Sequence, residues 1–186
     1  MSFRSLLELD ARFSSQLRVG EKPGMLRNCA AFLAHSGDSW FWAAALIFCW
    51  FFSNSSWKQW EVVEFFGIAG LAGVVLAIKF IVRRERPQGE WGGIYRNTDP
   101  HSFPSGHAAR SFLIAVIASA FAPLWLVVVL WIWAPLVALA RVSMGVHYLS
   151  DVVAGAIVGV IVALIGLQIY SPMIIWFTSL SGFSFW

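Results

Sequence analysis

Three polar islands interrupt a chain that is otherwise mostly apolar, and each lies at the edge of a long hydrophobic run. The first is Lys79 with Arg86-Pro87, the second Pro104-Ser105-Gly106-His107, and the third Arg141, His147 and Asp151. Charges at membrane depth are costly and are seldom kept without use. The chain is thereby restricted to a bundle of membrane-crossing helices that brings its polar groups to one place. Composition agrees: 59% of the 186 residues are hydrophobic and only 12% are charged, where a soluble domain carries about a quarter.

The length leaves room for one integral membrane domain, residues 1–186, in which 1–24 form an interfacial segment and 25–186 the transmembrane bundle. The expected class is all-α, a polytopic membrane helix bundle of five to six spans with an N-terminal amphipathic helix. Cys29 and Cys49 lie in or near apolar sequence and give neither a disulfide framework nor metal-ligand spacing. Residues 1–22 mix acidic and basic side chains without an unbroken apolar core, so they do not read as a signal peptide.

Phe3, Leu6, Leu7, Phe13 and Leu17 recur at loosely helical spacing, which fits a helix lying on the membrane surface; a polar tail is the alternative. The first strongly apolar run, Trp40 to Phe52, is short for a span and is expected to extend backward through Ala30–Leu33. Ser53 to Ser56 is a turn. The second run, Val62 to Val82, ends in Arg83, Arg84 and Arg86, with Pro87 expected to end the helix. A polar loop follows over 88–103, with Gly89, Gly92, Gly93 and Pro100. Ala108 to Ala122 and Leu124 to Ala140 form a hairpin around Pro123. The last run, Tyr148 to Tyr170, carries Gly155 and Gly159 at the spacing that lets membrane helices approach closely. Pro172 to Trp186 reads as an aromatic tail.

Counting crossings brings the islands together. With five spans, the loop of 83–106 and the turn of 141–147 fall on the same side of the membrane. Lys79 and Arg86, seven positions apart, would share a helix face, and Arg141 joins them from another helix end. Three cations in a partly desolvated site call for a multiply charged anion, and phosphate suits the forked guanidinium. The alternative for basic residues is an anchor that snorkels to headgroups, and that is the reading for Arg83 and Arg84. Ser105 is placed to cap the next helix, whose first amides would face an anion, and Gly106 lets the backbone come close to it. His147 and Asp151, four apart, can share a face, so that the carboxylate fixes the imidazole tautomer. An ordinary helical hydrogen bond is the plainer reading of that pair alone. Which histidine would be the nucleophile is open at this point.

Lys79-x6-Arg86-Pro87, Pro104-Ser105-Gly106-His107 and Arg141-x5-His147-x3-Asp151 resemble, in order and spacing, the three-part signature of the type 2 phosphatidic acid phosphatase (PAP2) superfamily. The resemblance implies a metal-independent lipid phosphatase needing no cofactor. It implies that His147 attacks phosphorus and becomes a phosphohistidine, that Asp151 orients His147, and that His107 protonates the leaving oxygen and later activates water. Lys79, Arg86, Ser105, Gly106 and Arg141 would bind the phosphate. The third motif usually begins Ser-Arg, and Ala140 stands there instead. The expected effect is a trimmed hydrogen-bond network. His35 and Asp38 read as interfacial, His101 as lining the entrance, and Arg110 as pairing with lipid phosphates or with Asp99.

Substrates of such a family include phosphatidic acid, phosphatidylglycerol phosphate, polyprenyl pyrophosphate and lipid A phosphates; the partners are the lipid and the bilayer, with no nucleic acid. Two other functions use the same residues, a lipid phosphotransferase and a non-enzymatic lipid-binding or carrier protein. The site's side holds Arg4, Arg12, Arg18, Lys22, Arg27, Arg83, Arg84, Arg96 and Arg110, against Lys58 opposite. The positive-inside rule would make that side cytoplasmic. The resemblance implies the reverse, and the expectation adopted is a bacterial inner-membrane protein whose site faces outside.

Overall fold

The computed structural model describes residues 3–19, 23–88 and 99–185. Among these residues the fold is all-helical. The helices are Phe3–Gln16 (α1), Met25–Ser36 (α2), Ser39–Phe52 (α3), Ser55–Val82 (α4), Gly106–Phe121 (α5), Leu124–Ser143 (α6) and Leu149–Ser181 (α7). Three of them, α4, α6 and α7, are long and apolar enough to cross a membrane, and α3 and α5 are shorter apolar helices. Leu76, Phe80, Ile132, Ile161 and Leu164 are each at least half exposed. Such a girdle needs lipid rather than water around it.

Helix α5 is the centre, packed against α4, α6 and α7. Leu113, Ile114 and Ile117 on it are wholly buried. Two glycines of α7 make the closest approach. A Cβ on Gly155 would lie 2.5 Å from the Ser105 carbonyl oxygen, and one on Gly159 would lie 2.0 Å from that of Ala109. The Gly155/Gly159 pair is therefore the face on which α5 sits. That contact sets the second polar island directly beside the third, and Ser105 N–H donates to the Asp151 carbonyl at 2.9 Å.

Several boundaries differ from those expected. The first apolar run does not extend backward as one helix: α2 and α3 are separate, broken at Gly37-Asp38. The Ser53–Ser56 turn is shorter, because the Asn54 side chain accepts from Trp57 N–H at 3.2 Å and α4 starts at Ser55. At its other end α4 stops at Val82, well before Pro87, since Arg83 takes the left-handed conformation (φ 51°) that closes a helix. The expected tail after Pro172 is instead the last part of α7, which continues through that proline to Ser181; membrane helices tolerate proline where neighbours satisfy the freed backbone. Most of the expected loop, 89–98 with its three glycines, lies outside the described residues. Glu64, wholly buried within α4, accepts from the Trp60 indole at 3.1 Å.

Helix α1 covers Phe3–Gln16 and touches the start of α7. Ser14 Oγ accepts from Leu149 N–H at 2.8 Å, and Asp10 Oδ1 accepts from Ser150 N–H at 3.1 Å. Both amides belong to the first turn of α7, which has no intrahelical acceptors for them. The N-terminal segment thus caps the helix that carries Asp151.

Candidate active site

Lys79, Arg86, Gly106, His107, Arg141 and His147 line one cavity of about 290 Å³. The three islands meet there. The reason is not a shared helix face for Lys79 and Arg86, because the chain leaves α4 at Arg83. They converge instead on Asp99. Lys79 Nζ donates to Asp99 Oδ2 at 2.6 Å and to the His101 carbonyl at 2.8 Å, and Arg86 Nη2 donates to the same Asp99 oxygen at 2.8 Å. A carboxylate so held occupies the position in which two cations would grip an anion.

Arg86 also reaches His147. Its Nη1 donates to the Val146 carbonyl at 2.9 Å and lies 3.2 Å from His147 Nε2. Guanidinium is a donor only, so Nε2 must present its lone pair and the proton sits on Nδ1. That nitrogen is 3.5 Å from Asp151 Oδ2. The expected His147–Asp151 pair is therefore present as a loose contact, with a tautomer that aims Nε2 into the cavity. Burial first, then the charges of Arg141, Arg86 and Lys79, hold the His147 imidazole well below the usual histidine range. It is neutral at neutral pH.

Asp151 lies behind His147, fully buried, and is held from two sides. Oδ2 accepts from Tyr148 N–H at 2.9 Å. Oδ1 accepts from Arg84 at 2.8 Å. The anchor reading of Arg84 is thus wrong: its guanidinium faces inward, pairing with Asp10 at 2.7 Å and stacking 4.0 Å from the Tyr148 ring. Ser150 Oγ joins Asp10 as well. A buried carboxylate recovers its lost hydration only through such partners. Arg83, in contrast, is exposed.

Ser105 caps α5, accepting from Ala108 N–H at a long 3.5 Å. It is fully buried and does not line the cavity, whereas Gly106 does. Ala140 does not line it either; it packs in an apolar cluster with Ala30, Ala34, Met144 and Val146. A serine there would meet methyl groups rather than a ligand, so the expected trimming of the phosphate network has no structural basis. His101 lines the cavity as expected. Arg110 does not pair with Asp99; it donates to the Gly37 carbonyl and lines the same cavity.

Asp38 is the main residue that sequence reasoning misplaced. Its Oδ1 is 2.6 Å from His107 Nε2, and its Oδ2 is 3.3 Å from His35 Nδ1. Burial acts to raise its carboxyl, but the hydrogen bonds and charges of His107 and His35 outweigh it and lower the group to about 2. A signal existed: Asp38, like the three islands, stands at the edge of an apolar run. Asp10 and Asp99 carried no comparable signal.

The PAP2 superfamily profile matches residues 60–174. The chain is 32% identical over 162 residues to the decaprenylphosphoryl-5-phosphoribose phosphatase of Mycobacterium tuberculosis, covering 85% of this chain and 88% of that one. It is also 32% identical over 117 residues to the lipid A 1-phosphatase of Porphyromonas gingivalis, covering 61% of this chain but only 24% of that longer one. The crystal structure of Aquifex aeolicus LpxE superposes with a TM-score of 0.67 at 26% identity, over 87% of this chain and 94% of that one.

Proposed function

This chain belongs to the PAP2 superfamily and is an integral membrane lipid phosphatase, and we propose that it works without a metal ion through a phosphohistidine on His147. The convergence of three cations and two histidines in one cavity carries this reading. The Nε2 lone pair of His147 attacks phosphorus while the bond to the lipid oxygen breaks. That oxygen takes a proton from His107. The phosphorylated imidazole keeps its Nδ1 proton and a positive charge, which Asp151 stabilises at 3.5 Å. Water then attacks, giving its proton to the now neutral His107, and the N–P electrons return to Nε2.

Lys79, Arg86 and Arg141 grip the phosphate oxygens and oppose the charge that builds up in both transition states. The Gly106 amide, at the start of α5, adds a donor. Ser105 contributes by ordering that first turn. In this scheme Asp99 leaves the two cations when substrate arrives.

The apolar wall of the same cavity, formed by Ala72, Val75, Leu76 and Phe80 of α4, suits a lipid that enters sideways from the bilayer. The substrate class we favour is a lipid phosphomonoester or pyrophosphate, with polyprenyl and lipid A phosphates foremost because the relatives act on such lipids. The domain is a single unit, residues 1–186, with α1 lying at the interface of a bacterial inner membrane and the cavity facing outside. With the native Cys29 and Cys49, both exposed, replaced by serine, cysteines at the exposed positions Gln88 and Ser55 test the orientation: an impermeant reagent on intact cells should label only position 88.

The test of function is phosphate release by detergent-solubilised protein from a panel of these lipids with EDTA present. Release from one class and its loss in His147→Ala support the reading. A requirement for Mg²⁺, or activity unchanged in His147→Ala, overturns it.

A further inference from the structure

We propose that Asp38 is the positioning residue for His107, holding the imidazole through Nε2 so that Nδ1 serves the leaving oxygen. The inference rests on the reading of His107 as proton donor. Its basis is the 2.6 Å contact between Asp38 Oδ1 and His107 Nε2. Among the described residues that is the only hydrogen-bond partner of the His107 ring. With Nε2 engaged, Nδ1 is the nitrogen left for the cavity that His107 lines. A protonated His107 then gives one N–H to Asp38 and the other to the lipid oxygen as its bond to phosphorus breaks.

The carboxylate is built into a fixed corner between α2 and α3. Ser36 uses both of its oxygens there: its carbonyl accepts from the Trp42 indole at 2.9 Å and its hydroxyl from the Trp133 indole at 2.8 Å. Arg110, one turn along α5 from His107, donates to the Gly37 carbonyl. A Cβ on Gly37 would stand 3.1 Å from Val137 Cγ1 and 3.5 Å from His107 Cδ2. Asp38 N–H donates to the His35 carbonyl at 3.0 Å. The corner is tied to α5 and α6, and Asp38 cannot retract without breaking several of these contacts. A lone exposed histidine needs no such frame; one that must aim a proton does.

The contrast between leaving groups tests this. Dioctanoyl phosphatidic acid leaves as an alkoxide and needs a proton, whereas p-nitrophenyl phosphate leaves as a stable phenolate and does not. In Asp38→Asn, kcat/KM, which reports only the steps up to phosphoryl transfer and not the later water attack shared by both substrates, should fall about 100-fold on phosphatidic acid, within the range for loss of a general acid, and less than about fivefold on p-nitrophenyl phosphate. Asp38→Glu should recover part of the loss. His107→Ala is the control and should show the same selectivity. Turnover is referred to the monodisperse fraction, so misfolded protein does not enter the ratio; Asp38→Ser replaces Asp38→Asn if that variant aggregates. If His107→Ala is selective and Asp38→Asn lowers both substrates alike or neither, the role of Asp38 is refuted alone. If His107→Ala is not selective, the proton-donor reading fails and takes this inference with it.

Discussion

Replacing Gly159 by alanine should loosen the bundle and disable the site together. The added Cβ would stand 2.0 Å from the Ala109 carbonyl oxygen, 2.8 Å from its carbon and 3.0 Å from the Ala109 Cα. The shortest of these is about 1.4 Å inside ordinary contact, and all three are backbone atoms of a closely packed helix that cannot rotate away. The helices α5 and α7 must part. Overpacking of this kind costs about 1–3 kcal/mol. The parting also moves His107 and Gly106 on α5 away from Asp151 on α7, and a shift of about 1 Å can cost 100-fold in rate. The assay is thermal unfolding in detergent with kcat/KM on the same preparation. Gly73→Ala is the matched control, since a Cβ there meets nothing within 4 Å. Unchanged melting and activity in Gly159→Ala would refute the packing argument.

Other outcomes follow from the polar network. Arg84→Ala leaves Asp151 Oδ1 without its charged partner and should destabilise the protein by about 3 kcal/mol, as a broken buried pair does, with kcat reduced at least about tenfold; Arg83→Ala should be neutral in both assays. Asp99→Asn removes the anion that bridges Lys79 and Arg86, so inorganic phosphate should inhibit more tightly, by about threefold given the half-exposed carboxylate; weaker inhibition counts against displacement of Asp99. The lowered pKa of His147 keeps its nucleophilic neutral form at mildly acid pH. The acid limb of kcat/KM should therefore lie below the ordinary ~6.5 of imidazole. Stability should fall as pH drops below that same value, because the unfolded chain takes up the proton first. An acid limb at or above it would contradict the burial argument.

Much of this was legible in the sequence because membrane depth makes polar residues conspicuous. Lys79, Arg86, His107, Arg141 and His147 stood out as costly groups, and the structure lines one cavity with them. The Gly155/Gly159 spacing was readable for a similar reason: close helix approach leaves few residues to choose from. The misses have physical causes too. Arg83 ends α4 by adopting a left-handed conformation, which no sequence rule for arginine anticipates. Arg84 looked like an anchor because a cation at a membrane edge has two low-energy options, outward to headgroups or inward to Asp10 and Asp151, and tertiary contacts decide. Asp38 and Asp10 act on residues about 70 and 140 positions away. Contacts at such separation leave no local pattern.

The most direct test is to find the phosphoryl group on the protein. His107→Ala, in which water attack is slowed, is mixed with p-nitrophenyl [32P]phosphate and quenched in alkali. The expected result is label on His147 Nε2, stable to alkali, labile to acid, and missing in the double variant with His147→Ala. Label on another residue, or product formation that persists without His147, would contradict the mechanism.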